Sequence, residues 1–111
     1  MKIRPEWTEV ITVRATGRHS AIIASNLKDL KHEVGRDAGD ERIRIYRRER
    51  IDTDFCIVLF HHDEKETPGP SRMGERLSAS LKELGQVHHT IWIEMDRNAT
   101  DSHPGGWVSA E

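Results

Sequence analysis

Apolar and polar positions change period six times along the chain. Trp7 to Ala15 (Trp-Thr-Glu-Val-Ile-Thr-Val-Arg-Ala) is rich in β-branched residues and is closed by Gly17, which predicts a strand. From Ser20 the period becomes helical: Ala21, Ile22, Ala24, Leu27, Leu30 and Val34 fit one broad face, with Ser20 as N-cap and Gly35 as the residue past the end. Arg42 to Arg48 alternates apolar with charged residues and predicts a half-exposed strand. Asp52-Thr53 signals a turn, and Asp54 to His61 is nearly all apolar, as a central strand should be. Pro68-Gly69-Pro70 breaks the chain. Ser71 then caps a helix with the stripe Met73, Leu77, Leu81 and Leu84, and Gly85 with Val87 fits a Schellman ending. Thr90 to Met95 predicts the last strand. The polar segment from Arg97 to Glu111 has little to bury and is expected to be a mobile tail, leaving a folded domain over residues 1–96.

Right-handed crossovers turn this order into an α+β, ferredoxin-like β-α-β-β-α-β sandwich. Its four-stranded antiparallel sheet has the order 4-1-3-2, with both helices on one face. Over Trp7 to Asp96 the element order resembles that of the dimeric α+β-barrel proteins and of the RNA-recognition-motif fold. The resemblance is one of fold, and no residue signature of a named family accompanies it, so it implies no active site.

Strand alternation sorts the sheet into two faces. Ile11, Val13, Ala15, Ile43, Ile45, Phe55, Ile57, Leu59, Ile91, Ile93 and Met95 are expected beneath the helices. The other face receives Val10, Thr12 and Arg14, then Arg44, Tyr46 and Arg48, then Cys56, Val58, Phe60 and His62, and finally Thr90, Trp92 and Glu94. A hairpin centred on Asp52 would set Arg44 opposite Phe60 and Tyr46 opposite Val58. The middle of this open face is too apolar to be left in water, so it predicts an interaction surface. A second copy of the chain is the favoured cover, and the protein is expected to be a homodimer. Arg44, Tyr46, Phe60 and Trp92 are the candidate ligand-binding residues, with a small anion as the ligand that arginines suit.

Composition narrows the chemistry. The 111 residues fit one domain, and a net charge of −2 gives no general pull toward nucleic acid or an anionic membrane. The arginines around strand two share a face with aromatics, but strand three lacks the glycine-aromatic pattern of RNA-recognition motifs, which disfavours RNA binding. No stretch is long and apolar enough to span a membrane, and no leader pattern opens the sequence, so a cytoplasmic location is expected. Cys56, the single cysteine, is expected to be buried and inert.

Seven histidines raise the question of a metal. Neighbours on a strand point to opposite faces, so neither His61-His62 nor His88-His89 can chelate one ion, and the two pairs are expected at opposite edges of the sheet as solvated strand ends. No cofactor or metal is therefore expected. His62, beside Phe60, is the one candidate acid-base residue. Two functions fit: a homodimeric binding or regulatory module that uses its open sheet face, or a small cofactor-independent enzyme of the dimeric α+β-barrel type, acting on a small anionic or aromatic substrate.

Overall fold

The computed structural model describes residues 6–38, 42–61 and 67–95. The elements are β1 (Trp7–Ala15), α1 (Ser20–Ala38), β2 (Ile43–Arg47), β3 (Asp54–His61), α2 (Arg72–Lys82) and β4 (Gly85–Ile93). The sheet runs β2-β3-β1-β4, which is the expected order, and every neighbouring pair is antiparallel. Both helices pack on one face, where Ile23, Leu27 and Val34 of α1 and Leu81 of α2 meet Ile11, Val13, Ile43, Phe55, Ile57 and Leu59 of the sheet. The sequence expected at residues 97–111 to form a mobile tail lies outside the described residues, as does His62.

Several local expectations are corrected. The buried stripe of α1 is Ile23, Leu27, Leu30 and Val34, whereas Ala21, Ile22 and Ala24 face solvent. Ile22 and Ile23 are adjacent, so either could begin the face; the i, i+4, i+7, i+11 run from Ile23 is the one that follows a helix without drifting. The first helical carbonyl is that of His19, which accepts from the Ile23 N–H at 2.9 Å, so His19 caps the helix. The Ser20 hydroxyl instead donates to the Asp52 carbonyl and ties the helix start to the β2–β3 turn. The helical backbone passes through Gly35 to Ala38, since an interior glycine costs only about 1 kcal/mol.

The hairpin is centred on Ile51. Arg44 pairs with Val58 and Tyr46 with Cys56, two residues away from the expected register, so each side chain keeps its face. The turn takes Arg50 to φ 63°. Gly85 is the first residue of β4 and lacks the positive φ of a Schellman glycine, which among the described glycines only Gly17 has. A Cβ on Gly85 would strike the Arg14 carbonyl, so close strand approach explains this glycine. Ile93 has the predicted parity, opposite Trp7, but is exposed at the end of the edge strand β4, and Met95, past the strand, is exposed as well.

Candidate functional site

On β1 the alternation that buries Ile11, Val13 and Ala15 also turns Trp7 and Glu9 inward. Glu9 is 0% exposed. An isolated carboxylate could not remain ionised there, so its partners decide its state. Helix α2 supplies the first of them. Ser71 caps the helix by accepting from the Gly74 N–H at 3.0 Å, and both its hydroxyl and its backbone N–H donate to Glu9. The carboxylate thus sits at a helix N-terminus, where unpaired N–H groups and the helix dipole favour negative charge. The helix can come this close because Gly74 lies directly over Glu9: a Cβ at that position would be 2.9 Å from the Glu9 Cδ and closer still to Oε2.

The two flanking strands supply the other partners. His61 on β3 lies one row to one side of Glu9, and His89 on β4 lies one row to the other side. These diagonal positions are within reach of long side chains. His61 Nε2 is 2.7 Å from Oε1 and His89 Nε2 is 2.7 Å from Oε2. An ionised carboxylate only accepts, so both Nε2 atoms carry hydrogen and donate. In neutral His89 the Nδ1 then accepts from the Ser78 hydroxyl at 3.2 Å. His61 is stacked on Trp7, with ring centroids 4.0 Å apart and planes inclined by 13°.

This arrangement corrects the expectation that His61 and His89 are solvated strand ends at opposite edges. β3 and β4 both border β1, so the two imidazoles converge on one strand. Among the described residues, no group of three or more histidine, cysteine or acidic side chains could hold a metal ion.

Burial alone would raise the Glu9 pKa. The Ser71 hydroxyl and N–H, with His89 and His61, outweigh it and hold the carboxyl below its ordinary value. A carboxyl with a depressed pKa in the folded state stabilises above its unfolded value, near 4.5, and loses that contribution as pH falls through the folded value. Acid unfolding of the wild type should therefore steepen below about pH 4.5. The slope should flatten in Glu9→Gln, a comparison that subtracts the other carboxylates. Equal slopes in a urea-melt series from pH 3 to 6 would count against an ionised Glu9.

His61 also lines a groove of about 900 Å³ between the two helices. Leu30, Leu59, Met73 and Leu77 give it apolar walls, and Asp29, Glu33, Arg42, Arg72 and Arg76 supply charge. A small molecule there would meet apolar surface beside an imidazole whose far side is fixed by a buried carboxylate. In such a pairing the carboxylate fixes the tautomer and orientation of the ring, which is the arrangement general acid–base chemistry uses.

The candidate residues of the open sheet face stand apart from this groove, except Phe60, which borders it at the end of β3. Reading across the sheet, one row holds Phe60, Thr8 and Trp92, and the next holds Arg44, Val58, Val10 and Thr90. A third holds Tyr46, Cys56, Thr12 and His88, and a fourth holds Asp54, Arg14 and Gln86. Trp92 and Tyr46 therefore occupy opposite corners, about 14 Å apart across three strand spacings alone. Arg44, Tyr46, Phe60 and Trp92 spread over the face instead of converging. Trp92 is 61% and Tyr46 51% exposed, and the Trp92 indole N–H is held by the Thr90 hydroxyl at 2.8 Å. Cys56 is half-buried on this face, not fully buried as its apolar neighbours suggested, and burial pushes its thiol pKa up.

Glu9 is the residue of this cluster that pattern reading misses. Its signal is parity: a lone carboxylate between Trp7 and Ile11 on the inward side of a strand. The spacing of Gly74 and Ser78 on α2 is the second sign, since two small residues one helical turn apart make room for something beneath them.

No family model matches the sequence, and no curated protein matches it. Among solved structures, the fold is similar to that of SnoaB, a cofactor-independent oxygenase from Streptomyces nogalater. The TM-score is 0.58 at 15% sequence identity, covering 82% of this chain and 94% of that one. The likeness is one of fold and bears out the resemblance to the ferredoxin-like dimeric α+β-barrel proteins. No helix among the described residues is long and apolar enough to cross a membrane.

Proposed function

We propose that this chain is a small cofactor-independent enzyme of the dimeric α+β-barrel type, with His61 as acid-base residue in the groove between α1 and α2. The observation that carries the reading is the buried Glu9 carboxylate, 2.7 Å from the Nε2 of an imidazole that lines the groove. The apolar walls suit an aromatic substrate, and the acidic group to be deprotonated is a phenol or an activated C–H. His61 replaces His62 as the candidate because Glu9 holds it. The fold shared with a cofactor-independent oxygenase agrees with this chemistry.

The test is oxygen uptake and deuterium wash-in with a panel of hydroxylated aromatics. The wild type should turn over at least one of them, and His61→Gln should lower the rate about 10²–10⁴-fold while still binding it. An His61→Gln protein with the wild-type rate would overturn the assignment. If the wild type binds such compounds on the open sheet face alone, the groove is not the site.

A second reading, a homodimeric binding or regulatory module, keeps the same dimer and asks no chemistry of His61. The exposed Trp92 and Tyr46, with Val10, Val58 and Phe60 between them, favour a second copy as the cover of the open sheet face in either case. The wild type is expected to sediment at twice its chain mass of 12.8 kDa, and Trp92→Glu as a monomer or an aggregate. A monomeric wild type at micromolar concentration would refute the interface. Cys56 gives an independent check, because it lies on the same face: a thiol reagent should label it faster in Trp92→Glu than in the wild type.

A further inference from the structure

The open sheet face is divided. Its apolar side chains, Trp92, Phe60, Val10 and Val58, occupy the two rows at one end. The rows at the other end border a hollow of about 470 Å³, whose charged lining is Arg14, Arg47, Arg48 and Asp54. Three guanidinium groups against one carboxylate leave this hollow cationic, in a protein whose net charge is −2.

Asp54 does more than offset charge. Arg14 donates to it through Nε and Nη2 at 3.0 and 3.1 Å, and Arg48 through Nη1 at 3.0 Å. The carboxylate thereby fixes Arg14 of β1 and Arg48, the residue after β2, side by side in the lining of the hollow. Among the described residues, Arg14 Nη1 and Arg48 Nε and Nη2 make no hydrogen bond. A guanidinium presents five N–H donors in a planar fork, so each arginine keeps donors for an acceptor beyond Asp54. Tyr46 and Cys56 line the hollow beside them and offer apolar surface to the body of a ligand.

We infer that this hollow is a binding site for a small oxyanion, a carboxylate or a phosphate, clamped by Arg14 and Arg48, which Asp54 holds side by side. The site is distinct from the groove that contains His61 and does not depend on any activity there. It also differs from the set Arg44, Tyr46, Phe60 and Trp92: Tyr46 is common to both, and Arg44 lies one row outside.

The experiment is an amide-shift titration of the full chain with benzoate and, separately, with inorganic phosphate. Saturable shifts are expected at residues 12–14, 46–48, 54–56 and 86–88, with none along α1. Tighter binding of benzoate assigns the site to carboxylates, and tighter binding of phosphate assigns it to phosphates. Arg48→Gln should weaken the tighter ligand about ten-fold, the loss of one charge-assisted contact. Arg14→Gln should do the same and serves if Arg48→Gln disturbs the hairpin. Arg44→Gln removes the same charge from β2 outside the hollow and should leave the affinity unchanged. The proposal is overturned by the absence of saturable shifts with both probes. It is overturned equally if Arg44→Gln weakens binding as much as Arg48→Gln, since the attraction would then be general charge.

Discussion

Glu9→Ala is expected to lower stability by about 3–5 kcal/mol, the range for breaking a buried charged network by removing one member. For a domain of this size, that corresponds to a melting-temperature drop of roughly 12–25 °C. Four donors converge on the carboxylate: the Ser71 hydroxyl and N–H and the two imidazole Nε2–H groups. Alanine leaves all four facing a cavity. Glu9→Gln should cost about half as much, and the reason lies at His89. Its Nδ1 faces the Ser78 hydroxyl, which can accept as well as donate. The ring can therefore move its hydrogen to Nδ1 and offer Nε2 as acceptor to the new amide, while the amide oxygen keeps His61. Thermal melts of the two variants check both the size and the order. If both melt within about 2 °C of the wild type, Glu9 is not the hub of a buried network.

The topology is legible because the sequence alternates apolar with charged residues over Arg42 to Arg48, runs apolar over Asp54 to His61 and keeps a helical period in the segments that become α1 and α2. Errors in it are local and have physical causes. On α1 the adjacent pair Ile22 and Ile23 gives two possible faces, and packing against Ile43 and Leu59 chooses between them. In the hairpin, a two-residue slip preserves every face, so alternation cannot detect it, and the conformation of Arg50 in the turn sets the register instead.

The candidate site was recoverable in principle and is obscured by chemistry. A glutamate in an amphipathic strand is ordinarily solvent-facing, since a buried carboxylate is tolerated only with its partners in place. Those partners come from residues 52 and 80 positions away in the chain. The order 4-1-3-2 already sets β3 and β4 on either side of β1, so histidines on both strands can meet a β1 side chain. What the order does not give is the height along each strand, and that is fixed by the pairings Trp7 with His61 and Ile11 with His89.

Gly74→Ala is expected to destabilise by about 2–3 kcal/mol, opposite in sign to its effect on an isolated helix. By propensity alone, alanine in place of glycine within a helix gains up to about 1 kcal/mol. Here the added methyl would lie 2.9 Å from the Glu9 Cδ and 3.1 Å from the His89 Cε1, and closer again to a carboxylate oxygen. None of these atoms belongs to a free side-chain end. Glu9 is held from Ser71, His61 and His89 at once, so relief requires α2 to lift from the sheet. Lifting stretches the Ser71 bonds that keep the carboxylate ionised, and the overpacking cost of about 1–3 kcal/mol is compounded by that loss. Gly69→Ala provides the contrast: a Cβ there would meet nothing within 4 Å, so a neutral or slightly stabilising change is expected. Melting temperatures and the imidazole Nε2–H proton resonances of His61 and His89 read the outcome. In Gly74→Ala the resonances should broaden or vanish as the melt falls. A Gly74→Ala protein that melts at or above the wild type with both resonances in place would mean that α2 does not rest on Glu9, and the acid-base reading of His61 would lose the contact that orients it.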